Sequence, residues 1–134
     1  MMDYLVFFDD LISEMFRILQ PGGHVLIALP NLASWHNRLM LLSGYQIRDI
    51  EVSRETVVGV PRRYRGQEPT GHIHTVTPGA FSELMTYHGF QMLKMFPGTP
   101  HATRINPLLA LADSVLALKV SLARRFFYLG RKPG

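Results

Sequence analysis

Cysteine is absent from this chain, which excludes disulfides, thiolate metal centres and cysteine nucleophiles and fits a reducing compartment. The amino terminus has neither the basic stretch nor the small-residue cleavage site of a secretory signal, so the cytoplasm is the expected location. No internal repeat and no low-complexity segment occurs. Charged side chains make up only 18% of the 134 residues and leave a net charge of +4. The basic ones collect in residues 48–65, where Asp49, Glu51 and Glu55 dilute them, and in residues 119–132. Neither cluster alternates with aromatics as a groove for single-stranded nucleic acid would. They read as solvated surface and helix-end charge, and no nucleic-acid partner is expected. What the chain does have is apolar side chains, 47% of the total. That suits one ordinary domain burying roughly two-thirds of its unfolded surface and excludes disorder over the whole length.

The apolar residues are patterned. Leu5, Phe8, Ile12, Met15 and Leu19 recur at alternating steps of three and four, one stripe of a helix that Pro21-Gly22-Gly23 ends. Residues 24–29 (HVLIAL) follow as a short, nearly continuous apolar run, which predicts a strand covered on both faces. Pro30 stops it. Asn31 is suited to cap a second helix with Leu32, Trp35, Leu39 and Leu42 on one stripe, closed by Gly44. From residue 45 to 71 the periodicity dissolves into a polar, basic loop, with a short strand conceivable at 56–60; a loop this long in a compact domain is usually functional or disordered. Thr77-Pro78 marks a third helix start, with Phe81, Leu84, Met85 and His88 on one face and Gly89 at its end. Residues 90–96 (FQMLKMF) read as a strand. Asn106-Pro107 opens a last helix carrying Leu108, Leu111, Val115, Leu118 and Leu122, with Arg124 and Arg125 placed at its end to suit the helix dipole. Residues 126–129 form a final short strand. Strands alternating with helices predict a layered α/β fold.

Three segments carry a family resemblance. Residues 14–27 (EMFRILQPGGHVLI) resemble an E-x-x-R-V-L-K-P-G-G-x-L-x-I pattern, and Pro30-Asn31-Leu32-Ala33-Ser34 is similar to T-P-N-x-x-S. Residues 71–77 (GHIHTVT), continued by Phe81, Leu84 and Gly89-Phe90, resemble G-H-x-x-x-F-T followed by a helix and G-F, with Val76 where phenylalanine is usual. The tail Tyr128-Leu129-Gly130-Arg131-Lys132-Pro133 adds a last strand and an R-K-P ending. In order and spacing these resemble the class I, Rossmann-like S-adenosylmethionine-dependent methyltransferase superfamily, from its fourth helix onward. The resemblance implies a partial sheet of about three strands with flanking helices, the last strand (126–129) central and antiparallel between 24–29 and 90–96. It also implies a bare edge on 24–29, an aggregation liability unless paired. The family's glycine-rich cofactor loop has no counterpart: none of the eleven glycines shows G-x-G-x-x-G spacing. The resemblance therefore covers residues 1–134 as the carboxyl-terminal part of such a domain. S-adenosylmethionine is the cofactor of the parent family, with no binding expected by this chain alone.

His72, Asn31 and Tyr64 are the candidate substrate-binding residues. By resemblance His72 lies beside the substrate pocket, as a contact or general base, although a hydrogen bond ordering its own loop explains it as well. His72 and His74 could share a face and hold a metal, but no third ligand lies nearby and no metal is expected. Asn31 follows a strand at the edge where open α/β sheets bind ligands. Tyr64 and its neighbouring arginines could make the 45–71 loop a lid over an anionic substrate. The expected function is methyl transfer to a small molecule, by a chain truncated and inactive in isolation. Its partners would be a small-molecule substrate and a missing amino-terminal half or another protein chain. The alternatives are a non-catalytic accessory or remnant module pairing with another chain through the bare edge, and a peripheral membrane protein anchored by the apolar segment 105–123.

Overall fold

The computed structural model describes residues 7–69, 74–98 and 106–134. The elements run α1 (Asp9–Ile18), β1 (His24–Pro30), α2 (Trp35–Leu42), a 3-10 turn at Arg62–Tyr64, α3 (Pro78–Tyr87), β2 (Gln91–Pro97), α4 (Pro107–Leu116) and β3 (Arg125–Arg131). The three strands form one sheet in the order β1-β3-β2. β3 is antiparallel to both neighbours, with Ile27 opposite Tyr128 on one side and Met95 opposite Tyr128 on the other. The central, antiparallel place of the last strand is the one the resemblance implies.

The motifs meet in space. Gly22 of the Pro-Gly-Gly turn, at φ +80°, donates its N–H to the Lys132 carbonyl, and Lys132 N–H returns to the Gly23 carbonyl. The Lys132 ammonium also reaches the Phe16 and Leu19 carbonyls at 2.7 and 2.8 Å, satisfying orphan acceptors at the end of α1. Asn31 bridges Val76 in parallel, so the segment after β1 lies against the segment before α3.

One sheet face carries the core. Ile27, Leu29, Phe126 and Tyr128 pack with Phe8 and Ile12 from the α1 region, Phe81 and Met85 of α3, and Phe90. Phe81 meets Tyr128 edge-on at 5.4 Å and Phe8 at 6.2 Å. The packing around Tyr128 dictates the residue beside it, because a Cβ on Gly130 would lie 2.5 Å from the tyrosine ring.

The opposite face differs from the sequence reading. β1 is not covered on both sides: buried Ile27 and Leu29 alternate with Leu26, which is 63% exposed, and exposed Ala28. Across the ladder Phe127, Leu129 and Phe96 share that face, half-buried, with Phe96 and Phe127 stacked at 5.2 Å. The run HVLIAL is apolar on both sides, but among the described residues only one side has a full cover.

Two helices are rotated from their apolar stripes. In α2 the buried residues are Trp35, Asn37 and Met40, while Leu39 and Leu42 face out. In α4, shorter than expected, Asp113 is buried and Leu108, Leu111 and Val115 point to solvent, as does Leu118 just beyond its end. Polar contacts made at long range set both rotations. The Asp113 carboxylate accepts from Trp35 Nε1 and Arg124 Nε, both at 2.8 Å, and a buried carboxylate so paired outweighs the local stripe. Helix starts read more faithfully. Thr77 caps α3 and Asn106 caps α4, each through its side-chain oxygen, whereas α2 starts after Ser34 rather than Asn31. No strand forms at 56–60. Arg125 opens β3 instead of closing a helix. Among the described residues no helix is long and apolar enough to cross a membrane.

Candidate functional site

β1 and β2 run parallel to each other and end on the same side of the sheet, at Pro30 and Pro97. In open α/β sheets that carboxyl end is where ligands bind. A cavity of about 290 Å³ opens there, near the lower bound of small-molecule sites, roughly 300 Å³. Pro30, Gly98 and Phe127 line it from the sheet, His36 and Met40 from α2, Arg124 and Arg125 from the approach to β3, and Arg48, Asp49 and Tyr64 from the long loop.

The loop holds its wall by folding on itself. Gln46 N–H bonds the Gly59 carbonyl at 2.8 Å and closes a neck. Gln46 Nε2 bonds the Ile50 carbonyl, and Ile47 and Val60 are buried. It is a compact surface loop packed by its own side chains. The Arg48 guanidinium lies 5.8 Å from the centroid of the Tyr64 ring, within cation–π range. On the opposite wall Arg124 is held by Asp113 and by the Trp35 ring at 5.6 Å. His36 Nδ1 lies 3.0 Å from Ser34 Oγ.

Of the three candidate residues, Tyr64 lines the cavity. Asn31 stands at the end of β1 but is inaccessible to solvent. Its amide donates to the carbonyls of Val120, Ser121 and Ala123 at 2.8–3.2 Å, and its Oδ1 accepts from Ala33 N–H. That work ties the end of β1 to the approach to β3. His72 lies outside the described residues; its neighbour His74 is exposed and stacks on Phe7 at 6.4 Å. The groups that sequence reasoning did not assign to a site are His36, Arg124 and Arg125. The Arg124-Arg125 doublet was the visible signal, but it reads as helix-end charge until α4 is seen to stop at Leu116.

The described residues do not fit S-adenosylmethionine. β1 ends in Pro30 and is followed by a wholly buried Asn31 whose amide is already committed to three carbonyls, with no glycine cradle. β2 is followed by Gly98, whose N–H bonds the Arg125 carbonyl and whose added Cβ would strike Arg125 at 3.1 Å.

The sheet order, the antiparallel central strand and the helices give this chain the class I methyltransferase-like fold. Among solved structures it is similar to an S-adenosylmethionine-dependent methyltransferase of Archaeoglobus fulgidus, with a TM-score of 0.53 and 13% identity over 97% of this chain and 55% of that one. It is likewise similar to one of Methanosarcina mazei, with a TM-score of 0.53 and 17% identity over 93% of this chain and 50% of that one. The chain thus spans about half the length of the solved methyltransferases it matches. At these identities the likeness is one of fold. No family model and no curated protein matches the sequence.

Proposed function

We propose that this chain forms the substrate-side half of a cytoplasmic S-adenosylmethionine-dependent methyltransferase acting on a small molecule, and that it is inactive by itself. The observation that carries the reading is the pairing of a cavity at the carboxyl end of a methyltransferase-like sheet with an unfinished sheet. Among the described residues β1 pairs only with β3, and the Leu26 face lies bare beside it. The walls described here position an acceptor, and positioning is the main catalytic resource of such an enzyme. The 45–71 loop serves as the lid on this reading, with His72 a substrate contact. The cofactor is bound by residues other than those described.

The same bare edge favours a second reading, a non-catalytic module that pairs with another chain. Cofactor titration separates the two. The isolated chain is expected to give no heat with S-adenosylmethionine. A longer chain, carrying a glycine-rich strand-to-helix segment read from the DNA ahead of residue 1, is expected to bind it. Micromolar binding by the isolated 134 residues overturns the division of labour. A longer chain that has such a segment and still fails to bind favours the accessory module.

A further inference from the structure

We propose that the cavity at the carboxyl end of β1 and β2 is an oxyanion-binding site, and that the acceptor is a small acid: an apolar body bearing a carboxylate or phosphate group. The methyltransferase reading is needed only to call that acid a substrate.

The lining residues include three arginines, Arg48, Arg124 and Arg125, and one aspartate, Asp49. Arg124 is already neutralised by buried Asp113 at 2.8 Å, so it is a fixed strut. The surplus comes from Arg48 and Arg125, for which no carboxylate partner occurs among the described residues. They stand on separate elements, the loop and the first position of β3, yet border the same space. Two cationic side chains bordering one concave space create a positive potential there. Their planar forks match carboxylate and phosphate oxygens. Tyr64 and His36, each already engaged with other groups, border the same space. The rest of the lining, Met40, Phe127, Pro30 and Gly98, is apolar and suits a hydrocarbon or aromatic body. With about 290 Å³ available, a macromolecular segment is a poor fit.

The test is titration of the full 134-residue chain at low salt with inorganic phosphate and, separately, with benzoate, read by calorimetry and amide shifts, with no cofactor present. Binding is expected to weaken about tenfold in Arg48→Ala and in Arg125→Ala, to recover in part in Arg125→Lys, and to fall with added salt. Arg131→Ala, which removes an exposed arginine from the far end of the same strand, is expected to bind like wild type. Phosphate binding without benzoate identifies a phosphate ester as the acid, and benzoate without phosphate an organic carboxylate; either supports the site. Binding of neither probe overturns it, as does equal weakening in Arg131→Ala. Because cofactor plays no part in the titration, those failures leave the methyltransferase reading standing, and failure of that reading leaves the anion site intact.

Discussion

On one face of the sheet Ile27, Leu29, Phe126 and Tyr128 are sealed by α1 and α3. On the other, Leu26, Ala28, Phe127 and Leu129, drawn from the same two strands one residue out of step, have no comparable cover among the described residues. The chemistry of the two rows is nearly the same, so hydrophobicity alone does not decide which is core. What decides is whether an element of matching shape reaches the face. α1 supplies Ile12 and α3 supplies Phe81, both without solvent exposure, and no described helix supplies their equivalent to Leu26.

The comparison can be broken most decisively at Phe81, whose ring touches Phe8, Phe126 and Tyr128. Phe81→Ala is expected to cost about 3–5 kcal/mol, measured by denaturant unfolding. A loss under about 1 kcal/mol would mean the sealed face is loosely packed. Tyr128 sharpens the same face more gently. Its hydroxyl is buried with no hydrogen-bond partner among the described residues, so Tyr128→Phe is expected to cost less than about 1 kcal/mol or to stabilise. Burial also pushes the Tyr128 phenol above its ordinary value of 10.0. A raised folded-state value leaves that stability complete below the ordinary range and erodes it as pH climbs higher, since the unfolded chain then sheds the proton more readily. The phenylalanine variant should lack that alkaline loss in melts across the range. The smallest effect belongs to the open face. Leu26→Asp is expected to change stability by no more than about 0.5 kcal/mol while improving solubility. A loss of several kcal/mol would show that the face is covered in solution, and sedimentation would identify a second copy as the cover.

These contrasts explain what the sequence reveals and what it hides. Chain-local signals read correctly. Thr77-Pro78 and Asn106-Pro107 start helices because capping and the fixed φ of proline act within a turn, and Pro21-Gly22-Gly23 turns the chain because Gly22 tolerates a positive φ. The central position of β3 follows from the resemblance, since no periodicity orders strands. The rotations of α2 and α4 stay hidden because Trp35, Asp113 and Arg124 find one another across 78 and 11 residues of sequence. The cavity was half legible. Tyr64 and the loop arginines suggested an anion, but Arg125 and His36 join them only once β3 and α2 are in place.

Strand order also has a consequence in time. Among the described strands the two outer ones have no ladder to each other, and the strand that joins them is synthesised after both. While the ribosome is still making residues 125–131, α1, β1, α3 and β2 already exist as chain, but their shared sheet cannot close, because Ile27 must wait for Tyr128, a partner about a hundred positions away. Contacts so distant in sequence slow folding and prolong exposure of apolar strands. A stop codon ahead of residue 125 would leave the two outer strands without the strand that joins them.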